Sequence, residues 1–142
     1  MIQVNFRVYS CHSFNLEMTK QATTTKLLKQ FNVCCSYIPE VENQQSNGTM
    51  VEVSIPIGYA MDNHSVMENS TSNPISKTEV LHDGTTVLVY YNRMGVETNC
   101  FIVFAYKRFS MPVKRPSYVR IQDSQRPELN ALKMFEFYSD RD

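Results

Sequence analysis

Short runs in which apolar and polar residues alternate recur along most of the chain, and they constrain the fold more than any other feature. Val51, Val53 and Ile55 occupy alternate positions, with Glu52 and Ser54 between them. A period of two places apolar side chains on one face of a β-strand, whereas a helix needs a period near 3.6. Similar runs occupy residues 3–11, 14–18, 27–37, 76–92, 100–109 and 117–122. With turns between runs at about 8–15 residues, the pattern predicts an all-β, antiparallel β-sandwich.

The run over residues 76–92 divides at Asp83–Gly84. This dipeptide fits a tight turn between two antiparallel strands, so a hairpin is predicted here. Residues 128–138 are ambiguous, because their apolar spacing fits a helix or a strand. We expect a strand from about Lys133, since a sandwich must cover its last edge.

Residues 61–73 interrupt the alternation and are mostly polar. Asp62 or Ser65 can serve as a helix N-cap, and Glu68 lies three residues after Ser65 as in a capping box. The pattern predicts one short surface helix around residues 62–71.

The apolar content of this segment is small. Val66 and Met67 are its clear apolar residues, so the helix would be mostly solvated, and Pro74 would end it. A disordered polar loop is the alternative interpretation.

Composition limits the function classes. The chain has 142 residues, 42% hydrophobic residues and no net charge, which fits one globular domain with a core. Because it has no long basic block, binding to nucleic acid or to an anionic membrane surface is not expected. No apolar run reaches the roughly 20 residues that cross a bilayer, so no membrane span is predicted.

Three Asn-x-Ser/Thr signals for N-glycosylation begin at Asn47, Asn63 and Asn69, all in turn-like or polar stretches. They favour a secreted, extracellular protein. Met1 leads directly into strand-like residues without a signal peptide, so we expect a piece of a larger secreted precursor.

The number of cysteines is also typical of a secreted protein. Cys11, Cys34, Cys35 and Cys100 form an even set, which allows two disulfides in three connectivities. Cys34 and Cys35 are poor partners for each other, because neighbours in a strand point to opposite faces.

No arrangement of residues indicates catalysis. His12, His64 and His82 are scattered without metal-ligand spacing, and no signature places a base beside a cysteine nucleophile. With four glycines in total, no phosphate-binding loop is present. The sequence therefore predicts a binding module rather than an enzyme, with no metal and no cofactor.

One small basic corner is present. Lys107–Arg108 and Lys114–Arg115 flank a turn that contains Pro112 and Pro116. Solvated loop charge is the simpler interpretation, and a docking patch for an acidic partner is the alternative.

Several motifs occur in an order that resembles a known domain. They are FNVCCSY, TMVEVSIPIGY, SKTEV followed by TTVLVYYN, and CFIVFAYKRFSMPVKRPSYVRI. Together, over about residues 14–122, they resemble the C-terminal receptor-binding domain of the α2-macroglobulin, complement and thioester-containing protein superfamily, especially the insect thioester-containing proteins. The resemblance implies a macroglobulin-type receptor-binding β-sandwich over residues 13–142, with residues 1–12 as the closing strand of a preceding CUB domain.

The resemblance also implies site residues. Cys34 would pair with Cys100, and a bond between Cys11 and Cys35 would then be the remaining option. The surface helix would face the receptor with Asp62, Asn63, Val66, Met67 and Glu68.

The implied function is that of a non-catalytic interaction domain in a secreted innate-immune or protease-trapping protein. Its partners would be the CUB and thioester domains of the parent chain, with the thioester shielded until activation, and a cell-surface receptor or other protein. Where α2-macroglobulin carries two receptor-capturing lysines, this sequence has Asn63 and Met67, so capture by lysine is not expected. A generic adhesive or structural β-sandwich of an extracellular protein is the alternative.

Overall fold

A computed structural model describes residues 13–21, 24–69 and 72–138. The predicted first strand over residues 3–11, the CUB-like segment 1–12 and Cys11 lie outside this range. The described residues form ten strands. In chain order these are β1 (Phe14–Lys20), β2 (Leu28–Tyr37), β3 (Thr49–Ser54), β4 (Tyr59–Ala60), β5 (Val66–Glu68), β6 (Ile75–Leu81), β7 (Thr86–Tyr91), β8 (Asn99–Lys107), β9 (Ser117–Asp123) and β10 (Asn130–Phe135).

The strands form two antiparallel sheets, as the alternation predicts. The first sheet has the order β1-β2-β8, and both β4 and β5 pair with the remaining edge of β8. The second sheet has the order β10-β9-β3-β7-β6. Strand neighbours are often distant in sequence, as in β3 between β7 and β9, so the pairing is dominated by non-local contacts.

The core lies between the sheets and is filled by the inward positions of the alternating runs. The most deeply buried of these apolar side chains are Phe31, Val33, Val51, Val53, Val87, Val89, Phe101, Val103, Val119 and Ile121. Each such side chain contributes about 1.5–3 kcal/mol when it leaves water. β10 forms one edge of the second sheet, so the strand interpretation of residues 128–138 is confirmed. The strand begins at Asn130, earlier than the predicted start near Lys133.

The predicted surface helix around residues 62–71 is wrong. Asp62 and Ser65 close a single turn, in which the Ser65 backbone N–H donates to the Asp62 carbonyl at 3.0 Å. Val66–Glu68 then forms β5. Within the described residues the only helical turn is a 3-10 turn at His82–Gly84. The edge of β8 offers backbone partners that a short polar helix with two apolar residues lacks.

The hairpin between β6 and β7 is present, but its turn is longer than the predicted tight turn. Leu81 pairs with Thr86, which leaves a loop of residues 82–85. His82, Asp83 and Gly84 all have positive φ, at 53°, 56° and 88°. A β-carbon on Gly84 would lie 2.9 Å from the Met61 carbonyl oxygen, so glycine is needed where this loop packs against β4.

Candidate functional site

The polar interruption of the sequence is the passage of the chain from one sheet to the other. After β3 the chain turns at residues 56–58, where Gly58 has a φ of 110°. It then runs along the free edge of β8 as β4 and β5, and returns to the second sheet as β6. We call the exposed part of this passage the β5 edge surface, defined by Asp62, Asn63, Met67, Glu68 and Asn69.

The turn before β5 is fixed by the two side chains that were predicted to cap a helix. The Asp62 backbone N–H donates to Ser65 Oγ at 2.8 Å, and the His64 backbone N–H donates to Asp62 Oδ1 at 2.8 Å. Ser65 Oγ also donates to Asp62 Oδ1 at 3.3 Å. The capping chemistry was therefore identified correctly, and it closes a turn instead of starting a helix.

β5 is held to β8 by backbone hydrogen bonds at both of its ends. The Phe104 N–H donates to the Ser65 carbonyl at 2.8 Å, and the Asn69 N–H donates to the Cys100 carbonyl at 3.0 Å. Met67 lies opposite Ile102 in the register, on the outer face of the sheet, and is 54% exposed. Val66 instead is half-buried and packs against the core, so it offers a partner less surface than Met67 does.

Glu68 connects the two sheets at this end of the molecule. Its Oε1 atom accepts a hydrogen bond from the Ile75 backbone N–H at 2.9 Å, which ties β5 to the start of β6. Tyr91 lies in the core near Glu68, and its pKa is raised mainly by burial, with smaller contributions from Cys35 and Glu68. The Glu68 side chain is exposed, yet it has a structural partner.

The disulfide lies beside the β5 edge surface. Cys34 and Cys100 face each other across β2 and β8 and are bonded, as the resemblance implies. Asn32 Nδ2 lies 3.3 Å from Cys34 Sγ, and Asn69 Nδ2 donates to Asn32 Oδ1 at 3.3 Å. The Asn69 glycosylation signal therefore adjoins the disulfide.

Cys35 differs from its neighbour. It is a free thiol, buried to 1% exposure, and its Sγ atom donates to the Asn99 carbonyl at 3.7 Å. Burial raises the pKa of this thiol to about 12. The structure describes Cys35 as a thiol on the inward face of β2, and the optional bond to Cys11 involves a residue outside the described ranges.

The other glycosylation signals lie on turns. Asn63 is exposed in the turn before β5, and Asn47 is exposed in the connection between β2 and β3. The Asn47 backbone N–H donates to Asp123 Oδ2 at 2.9 Å, which fixes this connection to the end of β9. Asn63 and Asn69 flank β5, so two of the three signals belong to the β5 edge surface.

Within the described ranges, no three His, Cys, Asp or Glu side chains group closely enough to hold a metal ion. No helix in that part of the chain has the length and apolarity that a bilayer crossing requires.

Sequence reasoning missed the edge pairing of β5 and the hydrogen-bond partner of Glu68. Val66, a β-branched residue between polar neighbours, was the one signal of a strand in this segment. The bond between Glu68 and Ile75 carries no signal in the sequence, because it depends on the return of the chain to the second sheet.

Sequence comparisons identify relatives of this chain. Residues 44–136 match the sequence model of the A-macroglobulin receptor binding domain family. Over 133 residues the chain is 43% identical to Thioester-containing protein 1 allele S1 of Anopheles gambiae, and 41% identical to allele R1. These alignments cover 94% of this chain and 10% of the mosquito proteins, so the chain spans about a tenth of their length.

Among solved structures, a DUF4466 family protein from Parabacteroides merdae matches with a TM-score of 0.47 and 13% identity. The match covers 90% of this chain and 44% of that protein, and a likeness this distant adds nothing about function. The sequence match to the mosquito proteins is much stronger, since its identity is 43% and it extends over both sheets and the β5 edge surface. The chain belongs to the α-macroglobulin receptor-binding domain family, with relatives among the thioester-containing proteins.

Proposed function

We propose that this domain binds a protein partner through the β5 edge surface, as the receptor-binding module of a secreted thioester-containing protein. The observation that carries the proposal is Met67, which is 54% exposed on a strand held by backbone bonds at both ends. An apolar side chain on a rigid edge contributes contact area at little entropic cost. Such a strand also presents backbone groups to a partner.

The chemistry of this surface favours apolar and edge contacts over capture by lysine. Residues 61–69 contain no lysine or arginine, while Asp62 and Glu68 carry negative charge. A partner that recognises two clustered cations would find none here. The receptor of this domain would therefore present an apolar patch with a polar rim.

The receptor-binding domain of this family is a non-catalytic domain. We infer that this one acts by changing its contacts with neighbouring domains. In the resting parent protein it packs beside a thioester domain and shields it, and activation separates the two and exposes the interaction surface. The change is one between two packed arrangements, and the chemistry belongs to the thioester domain.

The same proposal places the protein outside the cell, in innate immunity or protease trapping. Asn47, Asn63 and Asn69 are all exposed, as glycan acceptors must be. Secretion from insect cells behind a heterologous signal peptide, followed by peptide-N-glycosidase treatment, would lower the mass by the glycans attached. Secretion without any such loss of mass would contradict the glycosylation part of the proposal.

The central experiment measures binding of the fluorescent chain to cultured mosquito haemocyte-like cells. Met67→Ala should weaken this binding about tenfold, because an anchor side chain of an interface typically contributes more than 1 kcal/mol. Leu132→Ala is the matched control, since Leu132 is 49% exposed on the other sheet. Unchanged binding of Met67→Ala, with folding intact by circular dichroism, would defeat the placement of the site.

Shielding is tested in a relative. This chain replaces the matching tenth of Thioester-containing protein 1 allele S1, and incorporation of methylamine reports exposure of a thioester in the chimera. If the domain shields the thioester, the chimera should resist methylamine, and deletion of the domain should accelerate incorporation. Equal rates with and without the domain would overturn the shielding role and leave receptor binding to be judged by the cell assay.

A further inference from the structure

A pocket of about 240 Å³ lies at the opposite end of β8 from the disulfide, where the loop after β8 meets the turn between β1 and β2. Three of its lining residues are lysines, namely Lys26, Lys107 and Lys114. Lys26 is distant from the other two in sequence, so only the fold brings them together. None of the described residues that line this pocket is acidic.

The pocket is held by backbone bonds from three segments. The Lys107 N–H donates to the Leu27 carbonyl at 2.8 Å, which fixes the end of β8 to the turn before β2. The Gly58 carbonyl accepts from the Arg108 and Phe109 N–H groups at 2.7 and 3.1 Å, which fixes the start of the loop. The Tyr59 hydroxyl donates to the Lys26 carbonyl and so joins β4 to the turn before β2.

The charged side chains that line the pocket are all positive, and Glu136 belongs to the adjoining surface beside Lys114. The loop of residues 107–116 contains four lysines and arginines and no acidic residue. Arg108 is partly neutralised by Asp83 at 3.2 Å, on the side of the loop that faces the hairpin. Cations that surround a concave surface reinforce one another's potential and attract an anionic ligand.

The walls of the pocket are aromatic and apolar. Tyr59, Phe109, Met111 and Tyr138 line it, and Lys114 Nζ lies 5.3 Å from the centre of the Tyr138 ring. Phe109 is 49% exposed and Met111 37% exposed, although both are apolar. A sulfated sugar chain offers such walls only the C–H faces of its rings, whereas a peptide can place an aromatic ring beside its carboxylates.

We propose that this pocket binds an acidic peptide segment of a partner protein, with an aromatic side chain packed against the exposed Phe109 and Met111 and carboxylates facing the three lysines. Lysine ammonium groups act as point charges without a fixed geometry, so a flexible acidic segment is accepted in several registers. The site shares no residue with the β5 edge surface and does not depend on the receptor-binding function of that surface.

The experiment uses the full 142-residue chain and fluorescence anisotropy in low salt. The probe is a labelled hexapeptide of four glutamates and two phenylalanines. The triple variant Lys26→Gln, Lys107→Gln, Lys114→Gln should weaken binding at least tenfold, and raising the salt concentration should weaken the wild type in the same direction. The matched control removes three positive charges elsewhere, by Lys77→Gln, Arg93→Gln and Lys133→Gln, and should bind within twofold of the wild type.

Two further probes separate the contributions of charge and ring. A peptide with glutamines in place of glutamates, and one with alanines in place of phenylalanines, should both bind at least fivefold more weakly. Equal binding by the two triple variants would overturn the proposal. Tight binding of heparin by the pocket lysines without binding of the acidic peptide would also overturn it, in favour of a sulfated glycan. If the triple variant fails to fold, the single variant Lys26→Gln, which changes a residue in an exposed turn, is compared with the wild type for peptide binding instead.

Discussion

Glu52 receives hydrogen bonds from two residues of β9 on the outer face of the second sheet. The Tyr118 hydroxyl donates to Oε2 at 2.7 Å, and Arg120 donates to Oε1 from Nη2 at 2.6 Å and from Nε at 3.1 Å. Burial by itself would raise the pKa of Glu52, but the hydrogen bonds from Tyr118 and Arg120, together with the Arg120 charge, outweigh it and lower the pKa. The ionised carboxylate is therefore favoured by folding.

Glu52→Gln should lower the free energy of unfolding at pH 7 by about 1 kcal/mol, a value reduced for solvent screening because Arg120 is partly exposed. A carboxyl whose pKa is lower in the folded state stabilises the protein above its unfolded pKa of about 4.3, and that stabilisation is lost as the pH falls. The difference between wild type and variant in urea unfolding should therefore shrink between about pH 5 and pH 3.

The control for this prediction is Glu128→Gln. Glu128 pairs with Arg126 at 3.3 Å, but the two side chains are 65% and 51% exposed. Such a pair contributes little in water, so the change should stay within about 0.5 kcal/mol at every pH. If Glu52→Gln lowers the free energy of unfolding by the same amount at every pH, the stabilising role given to the Glu52 charge would be contradicted.

The Glu52–Arg120 pair shows which contacts the sequence does not predict. The alternation placed Glu52 on the outer face of its strand, which the structure confirms. Its partner Arg120 was predicted to alternate on another strand, but nothing in the sequence pairs positions 52 and 120. The pair exists because β3 and β9 are neighbours in the sheet.

β5 is the element on which sequence and structure differ most. Asp62 and Ser65 satisfy the local rules for a helix start, and the same bonds also satisfy a turn. The conformation after this turn is decided by the edge of β8, whose backbone groups between Cys100 and Phe104 need partners. A three-residue strand supplies them, and a two-turn helix with so little apolar surface does not.

The Phe104 amide should exchange slowly with solvent, because it donates to the Ser65 carbonyl at 2.8 Å in the folded protein. Asn69→Pro removes the N–H that donates to the Cys100 carbonyl and should loosen β5. We expect exchange at Phe104 to accelerate at least tenfold in this variant, measured by hydrogen exchange and NMR.

Asn69→Gln is the matched control for this element. It removes the same glycosylation signal and keeps the backbone N–H, so the Phe104 amide should stay protected. Val33, at the centre of β2, should remain protected in both variants. Rapid exchange at Phe104 in the wild type would show that β5 does not pair with β8 in solution.

At the scale of the whole molecule, the disulfide links two strands that are distant in the chain. Cys34 and Cys100 are separated by 66 residues, and the segment between them contains strands of both sheets. Closing a loop of this length restricts the unfolded chain strongly. The bond therefore stabilises the sandwich as a whole and not only its own sheet.

The double variant Cys34→Ala, Cys100→Ala should lower the free energy of unfolding by about 2–4 kcal/mol, measured by urea denaturation. A reducing agent should destabilise the wild type by a similar amount and leave the double variant unchanged. Cys35 should not react with iodoacetamide in the folded wild type, because burial raises the pKa of its thiol to about 12. Equal stability of wild type and double variant would show that the bond does not form.

The candidate surfaces were predicted in part. The sequence located the polar interruption, the exposure of Met67 and Glu68, and the basic pairs of residues 107–115. It grouped Val66 with these residues, whereas in the strand Val66 packs against the core, because a helix and a strand orient neighbouring side chains differently. It also left Lys26 out of the basic corner, since a turn about 80 residues earlier in the chain has no local relation to that loop.

By itself, the amino-acid sequence determined the strand type, the inward and outward faces and the family, because a period of two and the order of the motifs are local properties of the chain. Tertiary structure decided the pairing of β5 with β8, the partner of Glu52, and the meeting of three lysines at one pocket. These features arise when segments far apart in sequence satisfy each other's backbone groups and charges. Local patterns show that such groups need partners, and only the folded sheets determine which partners they find.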